Sequence, residues 1–201
     1  MSDRPKIVVV GSANTDLVLQ VPRLPRAGET VTSSHFFQAL GGKGANQAVA
    51  AARLGADVTF VCKLGRDDYG RVCYQAYQKE GMNLDYAVWD ECTATGVAFV
   101  FVSDSSENLI GVAPGANMHL TVEEVNRAAG AIAAADCLLV QLEVPHTADL
   151  AAMQIARQHH IPIILNPAPP APFPLELLEM AGVLTPNETE LEFILNHLCP
   201  P

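Results

Sequence analysis

The chain has 201 residues, 49% of them hydrophobic, so it is long enough and apolar enough to bury one substantial core. Its formal net charge is −10 and its basic residues are not clustered. This argues against binding to nucleic acid or anionic membranes, because phosphate contacts need grouped Lys and Arg. No apolar run is long enough to span a membrane, since Asp136 interrupts the longest one. The apolar run near the start, Ile7–Val10, is too short for the core of a signal peptide.

The cysteine content indicates a reducing environment. The cysteines are odd in number and form no C-x-x-C pair, and Cys62 and Cys137 lie in apolar runs, which is typical of buried thiols. We therefore expect a cytoplasmic protein without a disulfide framework. The full set is Cys62, Cys73, Cys92, Cys137 and Cys199.

Short apolar runs and glycines divide the first half of the chain into strands and helices. Buried strands are predicted where apolar, β-branched residues cluster: Lys6–Val10 and Val58–Cys62. Two alternating segments, separated by prolines and a glycine, predict a half-exposed antiparallel pair: Asp16–Val21 and Thr30–Gln38. Two helical patterns each stop at a glycine: Lys43–Leu54 and Tyr69–Glu80.

The second half of the chain alternates more regularly. Val97–Val102 and Asn108–Val112 flank a polar turn, which predicts a hairpin. Thr121 and Glu124 form a capping-box pattern that opens a helix running to about Ala134. The remaining strands are predicted at Cys137–Gln141, Ile161–Leu165 and Gly182–Leu184, and the remaining helices at Thr147–His159, Leu175–Met180 and Glu188–Leu198.

Strands that alternate with helices predict an α/β fold with a doubly wound, mainly parallel sheet and helices on both faces. The antiparallel segments, at about residues 15–40 and 96–112, fall between core elements. We expect them to combine into one small antiparallel sheet that acts as a lid over the ligand-binding edge. Residues 1–201 are thus interpreted as one α/β domain with lid segments inserted.

The glycine-rich turn Gly41-Gly42-Lys43-Gly44-Ala45-Asn46 is the most informative motif in the chain. Adjacent glycines let the backbone approach a ligand closely. Lys43 and Asn46 lie on the first helical turn, where free N–H groups and the helix dipole favour oxygen-rich ligands such as sugars. A phosphate-binding P-loop is excluded, because Gly44 rather than Ser or Thr follows the lysine. A purely structural turn is the alternative.

Other polar residues also have two interpretations. Asp16 either binds a ligand or caps a turn, and Glu143 either binds a ligand or is a solvated loop carboxylate. Asn187 and Glu190 match an N-cap and N3 pair as well as a ligand-binding pair. The last two interpretations are compatible, because α/β proteins bind ligands beyond the carboxyl ends of their strands, where helices begin.

From Ile7 to about Glu192 the chain resembles the ribokinase branch of the PfkB carbohydrate-kinase family. Each motif alone is weak, but the set is highly specific. The motifs are Val10-Gly11-Ser12-Ala13-Asn14-Thr15-Asp16, Gly41 to Ala48 and Thr185 to Glu190, supported by Pro25 to Val31 and Asn166-Pro167-Ala168.

The resemblance implies roles for individual residues. Sugar hydroxyls would be bound by Asn14, Asp16, Gly42, Lys43, Asn46 and Glu143. A carboxylate beside an amide suits vicinal hydroxyls, because each hydroxyl both donates and accepts. Asn187 would face the triphosphate of ATP. Glu190 would organise Mg²⁺ through water, since Mg²⁺ keeps much of its hydration shell.

One part of the family pattern is missing. Family members continue into a G-A-G-D anion hole, whose Asp is the general base, and into the adenine pocket and the site of a monovalent cation, K⁺. No G-x-G-D occurs in these 201 residues. We therefore assign no catalytic residue and expect a C-terminally truncated member of the family. Loss of a general base costs on the order of 10²–10⁴-fold in rate, so this chain is expected to be inactive alone.

The implied function is ATP-dependent phosphorylation of D-ribose at its 5-hydroxyl. Two alternatives stay open. The chain is a non-catalytic isoform or fragment that keeps partial sugar binding or associates through the lid, by which ribokinases pair as homodimers. Alternatively, it belongs to a related PfkB sugar or nucleoside kinase with another acceptor.

Overall fold

The structure is a computed structural model that describes residues 4–33 and 35–198. Of His197 it describes only the backbone. Cys199 lies outside this part. The strands are β1 (Lys6–Val10), β2 (Asn14–Val21), β3 (His35–Gly41), β4 (Asp57–Val61), β5 (Lys63–Gly65), β6 (Val88–Asp90), β7 (Gly96–Ser103), β8 (Asn108–Ala113), β9 (Cys137–Gln141), β10 (Ile163–Asn166) and β11 (Val183–Leu184). The helices are α1 (Lys43–Arg53), α2 (Asp68–Lys79), α3 (Val122–Arg127), α4 (Ala129–Ala133), α5 (His146–Gln158), α6 (Glu176–Met180) and α7 (Glu188–Leu198), with a 3₁₀ turn at Gly115–His119.

The main sheet is parallel throughout and has the strand order β11-β10-β9-β1-β4. Strand β1 pairs with β4 on one side and with β9, which comes later in the chain, on the other side. Residue Val10 is therefore flanked by Val61 and by Val140. A reversal of this kind creates a crevice at the carboxyl ends of the two central strands, where α/β proteins bind ligands.

Two hydrophobic cores lie on opposite faces of this sheet. Successive strand residues point to opposite faces, so Val8 and Val10 enter one core while Val9 enters the other. Helices α3 to α7 cover the first face, and α1 and α2 cover the second. The predicted doubly wound α/β fold is confirmed.

A second sheet contains the segments predicted as a lid and has the order β3-β2-β7-β8. Both expected antiparallel pairs are present, β2 with β3 and β7 with β8. They join through a parallel pairing of β2 with β7, from Asn14↔Gly96 to Val21↔Ser103. Strand β2 begins at Asn14, two residues before the prediction, because the chain passes almost directly from β1 into the second sheet.

Further details differ from the prediction. Strand β3 spans His35–Gly41, whereas the predicted strand was Thr30–Gln38. The two-stranded parallel sheet of β5 and β6 was not expected, since each strand has only three residues. The 3₁₀ turn at Gly115–His119 was also missed. The helix expected from Thr121 to about Ala134 is divided at Ala128, whose N–H donates to the Val125 oxygen in a tight turn. The capping box at Thr121 and Glu124 is confirmed.

Within the described residues, the longest and most apolar helices fall short of what a membrane crossing requires. The four cysteines of this part are free thiols. Cys62 is buried as predicted, whereas Cys137 is only half-buried.

Candidate functional site

Polar side chains from separate parts of the chain meet at the crevice between β1 and β9. They come from the segment after β1, the start of β2, the first turn of α1, the 3₁₀ turn and the segment after β9. Three of the polar residues line a cavity of about 270 Å³, whose full lining is Asn14, Val112, Pro114, Asn117, Met118, Leu142, Glu143 and Pro169.

Glu143 is held by the beginning of α1. Its Oε2 accepts hydrogen bonds from Ser12 Oγ, at 2.5 Å, and from the backbone N–H of Lys43, at 2.9 Å. The first turn of a helix also favours a negative charge. Ser12 Oγ in turn accepts from the N–H of Gly44 at 3.3 Å. Glu143 is therefore a fixed, half-buried carboxylate and not a solvated loop residue.

Asn14 and Asp16 lie on the same face of β2, because alternate strand residues share a face. Asn14 is buried and Asp16 is half-buried. Within the described residues no hydrogen bond reaches the Asp16 carboxylate. Burial raises the pKa of Asp16, and the nearby charge of Glu143 raises it further. A ligand hydroxyl that donates to Asp16 would replace the hydration that burial removes from this carboxylate.

The glycine turn reaches the site mainly through its backbone. Gly42 has φ of 90°, and a Cβ at this position would lie 2.9 Å from the Asn14 nitrogen and the Ser12 oxygen. Only glycine fits there. Lys43 contributes the N–H that binds Glu143. Asn46 is exposed on the first turn of α1, and its backbone N–H donates to the Gly42 oxygen. The structure thus brings Asn14, Asp16, Gly42, Lys43 and Glu143 together.

Asn187 and Glu190 lie at the start of α7, beyond the carboxyl end of β11. The Asn187 N–H donates to Glu190 Oε2, and the Glu190 N–H donates to Asn187 Oδ1, both at 2.8 Å. The capping interpretation of this pair is confirmed. Because β10 separates β11 from β9, this helix start lies about 10 Å along the sheet edge from the segment that carries Glu143.

The residues around α7 fit a magnesium ion only through water. Glu190 is buried, and one of its oxygens is already bonded to the backbone. Among the described residues, nowhere do three His, Cys, Asp or Glu side chains group closely enough to hold a metal. Mg²⁺ commonly keeps several waters and binds one or two carboxylates, so a water-mediated contact with Glu190 is compatible with this arrangement.

Two residues of the site were not identified from the sequence. Ser12 was named only as part of a motif, and Asn117 was not named as a site residue. Ser12 lies 131 residues from Glu143, and Asn117 lies 103 residues from Asn14. The only local sequence feature that could have identified Ser12 is its position between Gly11 and Asn14. For Asn117 the only such feature is the preceding Gly115.

Larger cavities exist in the described part of the chain, but they lie elsewhere. One of about 390 Å³ is bordered by Lys6 and Asp57, and an apolar one of about 400 Å³ by Pro5 and Ala56. Both are near the amino ends of β1 and β4. A third, of about 360 Å³, lies between β6 and α3, away from the main sheet. Ligands of α/β sheets bind at the carboxyl edge of the main sheet, so the smaller cavity is the better candidate.

Comparisons with known proteins agree with this geometry. The model of the pfkB family carbohydrate kinases matches residues 4–199. A ribokinase of Haemophilus influenzae is 44% identical over 191 residues, which cover 95% of this chain and 62% of that protein. A deoxyribokinase of Salmonella typhi is 37% identical over 193 residues, covering 94% of this chain and 62% of that protein.

A solved structure, Arabidopsis thaliana ribokinase complexed with ribose and ATP, superposes with a TM-score of 0.83 at 33% identity. The match covers 94% of this chain and 62% of that one. The chain therefore spans about three fifths of the length of the relatives it matches.

Proposed function

This chain belongs to the pfkB family of carbohydrate kinases, and we propose that it is the sugar-binding part of an ATP-dependent ribokinase. The observation that carries the proposal is the cavity lined by the Glu143 carboxylate and the Asn14 amide, with Asp16 close enough for its pKa, raised by burial, to be raised further by the charge of Glu143. The proposed reaction transfers the γ-phosphoryl group of ATP to the 5-hydroxyl of D-ribose. The relatives named ribokinase favour ribose as the acceptor.

The chemistry of these side chains suits a pentose. Each sugar hydroxyl donates one hydrogen bond and accepts others. Asp16 and Glu143 accept, while Asn14 has an N–H₂ group that donates. Gly42, Lys43 and Asn46 complete the proposed sugar contacts from the start of α1. Phosphoryl transfer depends largely on positioning, so the proposed role of these residues is to orient the sugar for attack on the phosphorus.

We place the nucleotide end of the site at the start of α7. Asn187 would face the triphosphate of ATP, whose negative charge is favoured at a helix N-terminus. Glu190 would hold the Mg²⁺ of the nucleotide through water. A K⁺ ion is proposed for the full-length family only, and no residue of this chain is assigned to it.

A homodimer formed through the lid is part of the proposal. The face of the second sheet opposite Asp16 presents apolar side chains, and we call it the outer lid face. It consists of Leu17, Leu19, Phe36, Phe99 and Leu109. Exposed apolar patches of this kind favour association.

A cytoplasmic location also stays a prediction.

Another acceptor is the second candidate function. A deoxyribokinase matches this chain over nearly the same length as the ribokinases do. A deoxyribokinase and a ribokinase would share the fold and the site carboxylates, and their acceptor sugars would differ by one hydroxyl group.

We predict that D-ribose raises the melting temperature of this chain and that Asp16→Ala abolishes the increase. The Asp16 carboxylate would otherwise accept from a sugar hydroxyl, and a buried hydrogen bond to a charged group contributes about 1.5–3 kcal/mol. The measurement is thermal unfolding with a series of sugars. The matched control is Asp104→Ala, an exposed carboxylate in the turn between β7 and β8, which should respond as the unaltered chain does.

A larger shift with 2-deoxyribose than with ribose would replace the ribose proposal by the second candidate. Equal stabilisation by fructose or adenosine would refute the ribose assignment.

A further inference from the structure

Asn117 is a buried amide at the edge of the cavity, and both its carbonyl oxygen and its N–H₂ group make hydrogen bonds. It is 1% exposed. Its Oδ1 accepts from the Ala13 N–H at 2.9 Å, and its Nδ2 donates to the Ala13 oxygen at 3.3 Å. The same Nδ2 also donates to Asn14 Oδ1 at 2.7 Å.

These contacts determine which way both amides point. A backbone N–H can only donate and a backbone carbonyl can only accept, so Ala13 fixes the Oδ1 and Nδ2 positions of Asn117. Asn117 therefore donates a hydrogen bond to Asn14, and Asn14 accepts it through its Oδ1. This leaves the Nδ2 of Asn14 for the cavity that Asn14 lines. Within the described residues, that nitrogen has no hydrogen-bond partner.

We propose that Asn117 is a positioning residue that fixes the Asn14 amide as a hydrogen-bond donor to the sugar. Asn14 then supplies a donor beside the carboxylates of Asp16 and Glu143, which accept. A hydroxyl placed between them can donate to a carboxylate and accept from Asn14 at once. This role rests on the proposed sugar-binding function.

The arrangement is more specific than a buried amide needs to be. Asn117 could satisfy Ala13 without touching Asn14, and a lone amide in the cavity could rotate by 180° to present either atom. The bond at 2.7 Å removes that freedom before any ligand arrives. Preorganisation of this kind strengthens binding because no orientation has to be selected on association.

The test is Asn117→Asp, which keeps the acceptor for the Ala13 N–H and replaces the donor that faces Asn14 by an oxygen. Asn14 should then turn its Nδ2 toward the introduced carboxylate and present its oxygen to the cavity. Isothermal titration with D-ribose should show affinity reduced by about 10- to 100-fold. The same substitution in an Asn14→Ala background should change affinity less than about twofold.

Equal losses in both backgrounds would overturn the proposal, because Asn117 would then act on the fold and not through Asn14. Asn117→Ala provides the same comparison if the aspartate variant does not fold by circular dichroism.

A readout without ligand separates this proposal from the proposed function. In the unaltered chain, NMR should detect a scalar coupling across the hydrogen bond between Asn117 Nδ2 and Asn14 Cγ. If the coupling is present but no sugar binds, the sugar-binding function fails and the amide orientation stands. If sugar binds but the coupling is absent, the orientation proposal is wrong.

Discussion

At the scale of single residues, Asp149 is the carboxylate in the least favourable surroundings. It lies in the first turn of α5 and is fully buried, and neither of its oxygens has a hydrogen-bond partner within the described residues. The nearest opposite charge is His146, whose Nδ1 lies 4.0 Å from Asp149 Oδ2. Burial raises the pKa of Asp149 to about 7, although His146 opposes the increase. Interaction with Asp149 in turn raises the pKa of His146.

We therefore predict that this chain loses stability as pH rises. Between about pH 4 and pH 7 the folded state keeps the Asp149 proton that the unfolded state releases, so the free energy of unfolding falls with pH. The raised pKa of His146 acts in the same direction, because its favourable contribution is lost as pH rises through the folded pKa. For Asp149, a folded pKa of about 7 against an ordinary value of 3.8 corresponds by linkage to a decrease of roughly 4 kcal/mol. Urea unfolding across this range measures it.

Asp149→Asn should flatten this profile, because the side chain can no longer be charged. The exposed Asp104→Asn is the matched control and should keep the slope of the unaltered chain. If the free energy of unfolding of Asp149→Asn fell with pH as steeply as that of the unaltered chain, the buried carboxyl would not be the source of the pH dependence.

At the scale of elements, the second sheet has two different faces. Asn14, Asp16 and the cavity-lining Val112 share one face through the register of β2, β7 and β8. The outer lid face is apolar yet open, with Phe99 49% exposed and Phe36 53% exposed. A sheet that borders the cavity with one face and exposes aromatic rings on the other is suited to pairing with a second copy.

We predict that Phe99→Asp converts a dimer into a monomer. A two-fold interface would bury each Phe99 near the centre of the outer lid face, where a carboxylate would lose its hydration. Sedimentation equilibrium measures the change in mass. Val72→Asp on α2 is the matched control, because Val72 is similarly exposed but lies outside the lid. A monomeric unaltered chain, or equal dissociation in both variants, would contradict the prediction.

At the scale of the whole molecule, the proposed sugar contacts come from within these 201 residues, whereas the G-x-G-D pattern does not. The proposed sugar site lies at the crevice between β1 and β9, and the proposed nucleotide site lies two strands away at β11. We therefore expect sugar binding to be separable from phosphoryl transfer in this chain.

We predict that the chain stabilised by ribose does not form ADP from ATP, Mg²⁺ and ribose. Without a general base the rate should fall on the order of 10²–10⁴-fold, before any loss of nucleotide binding is counted. A coupled assay of ADP formation measures this, with the Haemophilus influenzae ribokinase as the active control. Ribose-dependent turnover would show that another carboxylate takes the proton, with Asp16 the first to substitute.

Local chemistry was enough to predict most of the elements. The apolar runs of β1 and β4 became buried strands, because each is short, β-branched and bounded by residues that end it. Helix α1 ends where Gly55 adopts φ of 96°, and α3 begins at the predicted capping box. Each of these outcomes depends on interactions between residues only a few positions apart, which a sequence shows directly.

The tertiary structure decided how distant segments meet. Strand β2 pairs in parallel with β7 because both run from the core into the second sheet. This pairing places residues about 80 positions apart in the sequence next to each other. The bonds from Ser12 to Glu143 and from Asn117 to Asn14 likewise join residues more than 100 positions apart. Hydrophobic periodicity and capping patterns contain no information about such pairs, because their energies arise only when the sheets and helices have packed.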